Sequence, residues 1–251
     1  MTSCWQALSA LRICTGPPGI GEQQMAEVSP GSRKWQTSDW QSLLHDAIKL
    51  LDTLKEQPKW TFGGGTALAV FYGHRISYDI DIFLPDTDAI TALSPNKNAA
   101  TKALLAGRGY QFPGNYLKLE LDQGEIDFIS GGRRTDDPTQ PWEFEGRSIL
   151  IETPWEAGIK KIFYRPSTFK LRDVFDLAAI IDHDGDRLKP YLPEVEDKLD
   201  KLIDRLDALS PVYAARVVND INPTEAGQKY IGTDAVETVL DFVRAWKTQG
   251  I

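Results

Sequence analysis

The sequence predicts an α/β (α+β) protein, in which a mixed β-sheet domain precedes a helical bundle domain. Three observations carry this expectation. Short alternating apolar runs interleave with helix-period stretches up to about residue 152. From Thr153 onward only helical periodicity remains. Between the first short strand and an apolar helix-like run stands Gly63-Gly64-Gly65, and that run leads to a strand reading Asp79-Ile80-Asp81-Ile82. The expected division is a flexible tail over 1–36, a sheet domain over 37–152 and a helical domain over 153–251, with the site in the cleft between the two domains.

Ser38 to Leu54 reads as a helix. Ser38 and Gln41 have capping-box spacing, and Trp40, Leu43, Leu44, Ala47, Ile48, Leu51 and Leu54 recur on one face. Pro58 ends it. Lys59 to Phe62 is a short strand, Thr66 to Tyr72 a helix, and Tyr78 to Leu84 a strand. Pro95 to Arg108 reads as one helix closing near Gly107 or Gly109. Tyr116 to Leu121 and Glu125 to Ile129 alternate around Asp122-Gln123-Gly124, a hairpin signal. Arg147 to Ile151 is a further strand. Helical patterns then cover 154–165, 171–182, 192–209, 211–219 and 234–247.

Composition bounds the function. The chain has 251 residues, 41% of them hydrophobic and 25% charged, as in an ordinary globular protein. No apolar run reaches the roughly 18 residues of a membrane span. Cys4 and Cys14 are the only cysteines, which argues against a disulfide scaffold and fits a reducing cytoplasm. Residues 1–24 lack the pattern of a signal peptide, and Met25 offers an alternative start. A net charge of −8 argues against coating nucleic acid through bulk charge but leaves room for a local basic groove. Residues 158–172, GIKKIFYRPSTFKLR, supply five basic side chains and no acid.

The chemistry concentrates around the paired aspartates. Residues two apart on a strand share a face, so Asp79 and Asp81 point together while Ile80 and Ile82 point into the core. Two such carboxylates can bridge a pair of divalent cations about 3.5–4 Å apart, and magnesium favours oxygen ligands beside phosphates. Asp127 completes a trio if its strand pairs beside that of Asp79, and it could then accept the proton of an attacking hydroxyl. Gly64-Gly65-Thr66, between strand and helix, lets backbone N–H groups approach a triphosphate.

Gly-Gly-Thr, twelve residues, then Asp-Ile-Asp resembles the first motif of nucleotidyltransferases of the DNA polymerase β superfamily. GGTALAVFYGHRISYDIDIF is similar to the AbiEii/AbiGii toxins among them, the toxins of type IV toxin–antitoxin systems. A second block, EAGIKKIFYRPSTFKLRDVFDLAAI, resembles that family's later motif of a lysine, a spacer and Arg-Asp-x-x-Asp-Leu. The resemblance spans roughly 60–180. It implies a nucleotidyltransferase-type sheet domain in which Gly64, Gly65 and Thr66 hold the triphosphate and Asp79, Asp81 and Asp127 bind magnesium, two ions in all. Lys160 or Lys161 would neutralise phosphate charge, and Arg172 would contact nucleotide or RNA. Asp173 and Asp176, three apart on a helix, would orient the lysine or contact the base. Arg75 and Ser77 precede the aspartates in an Arg-x-Ser-x-Asp arrangement the family shares, and they join the nucleotide-binding set. The implied activity is transfer of a nucleoside monophosphate from an NTP to RNA, with the tRNA 3′ end as leading acceptor, in an abortive-infection or toxin–antitoxin setting with a cognate antitoxin.

Two rivals stand beside it: the same chemistry on a small hydroxylated molecule such as an aminoglycoside, and a non-catalytic member that only binds a partner. Asp182-His183-Asp184-Gly185-Asp186 fails the calcium-loop pattern and reads as a solvated turn. His45, His74 and His183 have no zinc spacing, and His74 reads as a loop residue. The stripe Leu192, Val195, Leu199, Leu202, Leu206 and Leu209 reads as bundle core.

Overall fold

Residues 38–249 are described by the computed structural model. Cys4, Cys14, Met25 and the tail expected over 1–36 lie outside the described residues. α1 (Trp40–Asp52) buries Leu43, Leu44, Ala47, Ile48 and Leu51 of the predicted stripe and Leu50 besides, while Trp40 is partly buried. Its start differs from the expected capping box, because Asp39 is the N-cap and no side chain caps it. The Ser38 hydroxyl donates to the Ser77 carbonyl at 2.5 Å, tying the helix entrance to the segment just ahead of the aspartates.

β1 (Thr61–Gly63), α2 (Gly64–Tyr72), β2 (Arg75–Ile76) and β3 (Asp79–Leu84) follow. The helix expected over 95–108 is the shorter α4 (Ala99–Leu105), and a helix that was not expected, α3 (Thr87–Leu93), precedes it. Asp86 caps α3 by accepting the N–H groups of Asp88 and Ala89, and Asn98 caps α4 through the N–H of Thr101. Ser94 between them is extended, the conformation that Pro95 imposes on the residue before it. β4 (Tyr110–Gln111) precedes the predicted hairpin, β5 (Tyr116–Glu120) and β6 (Glu125–Ser130). β7 (Thr139–Phe144) has no counterpart in the sequence reading, and β8 (Arg147–Glu152) does. Pro141 and a largely polar composition hide β7. It lies at the sheet edge, where a residue without an N–H is tolerated.

The seven strands run in the order β4-β5-β6-β3-β1-β8-β7. β3 pairs parallel with β6 and antiparallel with β1, and β1 pairs parallel with β8. The helical part holds α5 (Pro154–Tyr164), α6 (Leu171–Leu188), α7 (Glu196–Leu209), α8 (Tyr213–Asp220) and α9 (Asp234–Gln249). Asp182 to Asp186 is not a turn but the last part of α6, kinked at Asp184. The Leu192–Leu209 stripe is buried in the core, although its first turns, Lys189–Val195, are 3-10 helix. No described helix is long and apolar enough to cross a membrane.

Two apolar cores result. One joins α1, α3 and α4 to the sheet through Phe62, Ile80, Ile82, Ile126 and Phe128. The other fills the space among α5 to α9. α2 belongs to both, since Ala67 packs in the first and Leu68 in the second. Strand structure also does not end at residue 153: β9 (Asn222–Pro223) returns to pair antiparallel with β2. Thr224 N–H donates to the His74 carbonyl, and the Asn222 amide donates to the Tyr78 hydroxyl at 2.7 Å. Beside this pairing, a Cβ on Gly227 would stand 1.8 Å from the His74 carbonyl oxygen. Gly227→Ala is therefore expected to push the β9 segment off β2 and cost about 1–3 kcal/mol, the range for overpacking a filled site. Urea unfolding of the variant beside the wild type measures it.

Candidate active site

The floor of the site is one end of the sheet. Register places Gly63, Asp81, Asp127 and Lys118 side by side across β1, β3, β6 and β5, and sets Asp79 against Glu125 in the neighbouring row. Alternation leaves Asp79 and Asp81 partly open while Ile80, Ile82 and Leu84 are buried. Four carboxylates thus face a cavity of about 590 Å³, within the range of small-molecule sites. Burial raises the Asp79 carboxyl above the usual carboxylate range, and Glu125 and Asp81 add to the rise. Burial, then the charge of Asp81, pushes Asp127 up to about 7. The Lys118 ammonium lies 2.9 Å from Asp127 Oδ2 and also bonds Glu125.

The glycines at the head of α2 make room for charged side chains. A Cβ on Gly63 would sit 2.7 Å from Glu152 Oε2, one on Gly64 would sit 1.8 Å from Asp81 Oδ2, and one on Gly65 would sit 2.1 Å from Arg75 Nη2. Gly64 also needs its positive φ of 69°. The Gly64 N–H, expected for phosphate, donates to Glu152 Oε2 at 3.0 Å. Thr66 is buried, and its hydroxyl is engaged within the protein by the Asp79 carbonyl and by Ser77 Oγ. A carbonyl only accepts, so the Thr66 proton goes to Asp79 and the Ser77 hydroxyl supplies the proton between the two side chains. Arg75 Nη1 donates to Ser77 Oγ at 3.2 Å.

The facing wall comes from α5, α6 and the turn between them. Lys160, Lys161, Arg165 and Arg172 line the cavity. Both candidate lysines are ion-paired. Lys160 lies 2.6 Å from Glu152 and 3.4 Å from Glu156. Burial alone would lower the Lys160 ammonium, but Glu152 holds it above its ordinary value. Lys161 lies 2.9 Å from Asp173 and 3.0 Å from Asp176. Asp173 and Asp176 are fully buried behind Lys161 and do not line the cavity. Burial would raise both carboxyls, yet Lys161 and Arg165 hold Asp173 down, and Arg75, Lys161 and His74 hold Asp176 well below the carboxylate range. Arg75 Nε donates to Asp176 at 2.7 Å.

His74, expected in a loop, is buried, with Nε2 2.9 Å from Asp176 Oδ1. Burial lowers its pKa, so the ring is neutral at pH 7, and Nε2 carries the proton because a carboxylate can only accept.

Magnesium can be tested against these donors. Among the described residues, no three His, Cys, Asp or Glu side chains are gathered into a ready metal cluster. The donor chemistry nevertheless fits a hard cation, since Asp79 Oδ1 and Asp127 Oδ1 are buried oxygens without a hydrogen-bond partner. The structure thus brings Gly64, Gly65, Thr66, Arg75, Ser77, Asp79, Asp81, Asp127, Lys160, Lys161 and Arg172 around one cavity and leaves Asp173 and Asp176 behind its wall.

Sequence reasoning missed Lys118, Glu125, Glu152 and Arg165, all of which line the cavity. Glu125 was findable, because it shares the strand face of Asp127 two residues on. Lys118 follows from the register of the predicted hairpin. Glu152 had no local signal, because β8 neighbours β1 only in the folded sheet.

The family model described as nucleotidyl transferase AbiEii toxin, type IV TA system, matches residues 49–207. No curated protein matches the chain. Among solved structures, MenT4, a nucleotidyltransferase toxin from Mycobacterium tuberculosis, is similar at 16% identity and a TM-score of 0.48, over 82% of this chain and 87% of that one. JHP933 from Helicobacter pylori is similar at 16% identity and a TM-score of 0.46, over 83% of this chain and 90% of that one. The antibiotic-resistance factor ANT(2'')-Ia is similar at 15% identity and a TM-score of 0.46, over 68% and 95%.

Two outcomes follow from this electrostatics. Asp176→Ala strands Arg75, Lys161 and His74 in the interior, and breaking a buried ion pair costs about 3–5 kcal/mol. Chemical denaturation reads that loss without any activity assay. Asp127 has a folded pKa of about 7 against about 3.9 unfolded. Its contribution to stability is therefore complete below the unfolded value and is lost as pH rises through the folded one. Asp127→Asn mimics the protonated form, so in chelator its melting temperature should fall less than the wild type's between pH 5 and pH 8.

Proposed function

Since the chain belongs to the AbiEii nucleotidyltransferase toxin family of type IV toxin–antitoxin systems and is a nucleotidyltransferase, we propose that it moves a nucleoside monophosphate from an NTP to RNA in a magnesium-dependent reaction. The tRNA 3′ end is the leading acceptor, and a cognate antitoxin is the partner that restrains it. The observation that carries this reading is the in-register placement of Asp81 beside Asp127, with Asp79 on the same strand face, opposite a wall bearing Lys160, Lys161, Arg165 and Arg172.

Asp79, Asp81 and Asp127 would hold magnesium, which supplies charge neutralisation on the phosphate oxygens. The acceptor hydroxyl attacks the α-phosphorus. The new P–O bond forms as the bond to the bridging α–β oxygen breaks, and pyrophosphate leaves. Asp127 would accept the proton that the attacking hydroxyl releases. Its Oδ2 is held by Lys118, while its Oδ1 is buried and has no hydrogen-bond partner. Arg172 and Arg165 face the same cavity and would take phosphate charge from triphosphate or RNA. Lys161 is anchored by two buried aspartates, so its ammonium is held in place before substrate arrives, the preorganisation that makes electrostatic stabilisation effective.

The test is incubation of the purified protein with total cellular RNA and each α-labelled NTP in magnesium. Label on a discrete RNA, reduced to background by Asp79→Ala/Asp81→Ala and by chelator, is the expected result. Label appearing only with an added aminoglycoside or similar alcohol would replace RNA with a small-molecule acceptor. No transfer to either, with NTP binding lost, would leave a partner-binding role.

A further inference from the structure

The carboxylate end of the sheet already contains a cation. Lys118 comes from β5, on the far side of β6 from Asp79 and Asp81, and stands directly opposite Asp127 in register. Its ammonium spans Asp127 Oδ2 at 2.9 Å and Glu125 Oε2 at 2.5 Å. The lysine side chain is about one-fifth exposed, so it reaches these partners from the cavity rather than from bulk solvent. Asp79 Oδ1 and Asp127 Oδ1 are left buried and without a hydrogen-bond partner. Among the described residues the carboxylates are not gathered into a ready metal cluster, and one of them, Asp127, is already paired with Lys118.

We propose that Lys118 is the resident counter-cation of this site, holding Asp127 and Glu125 in the nucleotide-free protein and competing with the divalent cation for Asp127. This rests on the magnesium reading above. Its consequence is that a positive charge already occupies the Asp127 side, so the empty enzyme holds divalent cation weakly, and full loading accompanies the triphosphate. Lys118 is a positioning residue in this account: it acts through Asp127, with no contact to the reacting atoms.

The experiment is a manganese titration, read by electron paramagnetic resonance, of the wild type, Lys118→Met, Lys118→Gln, Lys118→Arg and Asp79→Ala/Asp81→Ala, each with and without a non-hydrolysable ATP analogue. Melting temperature in chelator is the second readout. Without nucleotide, Lys118→Met and Lys118→Gln should bind manganese about tenfold tighter than the wild type, since each removes a unit positive charge paired with Asp127. Both should melt lower than the wild type in chelator and recover on adding manganese, while Lys118→Arg behaves as wild type. Lys118→Gln keeps a hydrogen-bond donor toward Asp127 and so remains informative if the methionine variant fails to fold. Unchanged nucleotide-free affinity in the uncharged variants would overturn the role of Lys118 while the wild type's nucleotide-dependent binding kept the magnesium reading. No manganese binding by any protein, with or without nucleotide, would overturn both.

Discussion

Placing four carboxylates at one end of one sheet costs free energy through mutual repulsion and lost hydration, and the rest of the molecule is arranged around that cost. Asp79, Asp81, Glu125 and Asp127 occupy two rungs of β3 and β6 that share a face, with the Ile80–Ile126 rung between them. Such a cluster survives only when cations stand against it or its members take protons. Both responses are present: Lys118 crosses from the neighbouring strand, and the Asp127 carboxyl is pushed into the neutral range. The basic segment of α5 and α6 supplies more positive charge from across the cavity, with Arg172 lowering the Asp79 carboxyl from that side. A protein of net charge −8 thus keeps a locally basic wall where an anionic substrate would enter.

The two halves are held to each other by a second, buried set of polar side chains, in which Arg75, Lys161 and Asp176 are charged and the His74 ring is neutral. Arg75 and His74 approach from the sheet side, Lys161 from α5, and Asp176 from α6 accepts from all of them. Arg75 also fills the space above Gly65 and bonds Ser77, which in turn meets Thr66. Cleft geometry is therefore not set by the apolar cores alone. A chain of hydrogen bonds runs from the glycine turn to the helical wall, and a shift of either half breaks a fully desolvated contact.

Much of the floor of the site was legible because it is local. Alternation in Asp79-Ile80-Asp81-Ile82 fixes which side chains share a face, and the Asp122-Gln123-Gly124 turn announces the hairpin bearing Asp127. What stayed hidden depends on strands distant in sequence becoming neighbours. Glu152 meets the Gly64 N–H only because β8 lies beside β1. The burial of Asp173 and Asp176 depends on how α6 docks against α5 and β2, which no periodicity reports. Thr66 reads as a phosphate ligand from its motif, yet in three dimensions its hydroxyl is engaged by Ser77 and the Asp79 backbone. The helix read over 95–108 starts late for a simpler reason: Ser94 ahead of Pro95 is extended, and the Asn98 side chain caps a first turn that opens at Ala99.

The small β2–β9 pairing has a consequence in time as well as in space. Arg75 stands in the strand that β9 closes, and its partner residues, Asn222 and Pro223, lie about 150 positions later in the chain. During synthesis the sheet, the glycine turn and the aspartates are all available well before that partner exists. The segment carrying Arg75 gains its last backbone partner only after residue 223 has left the ribosome, so this contact is among the most non-local in the fold and closes late. A nascent chain halted before that point would carry every carboxylate of the site without the strand that seals the segment beside it.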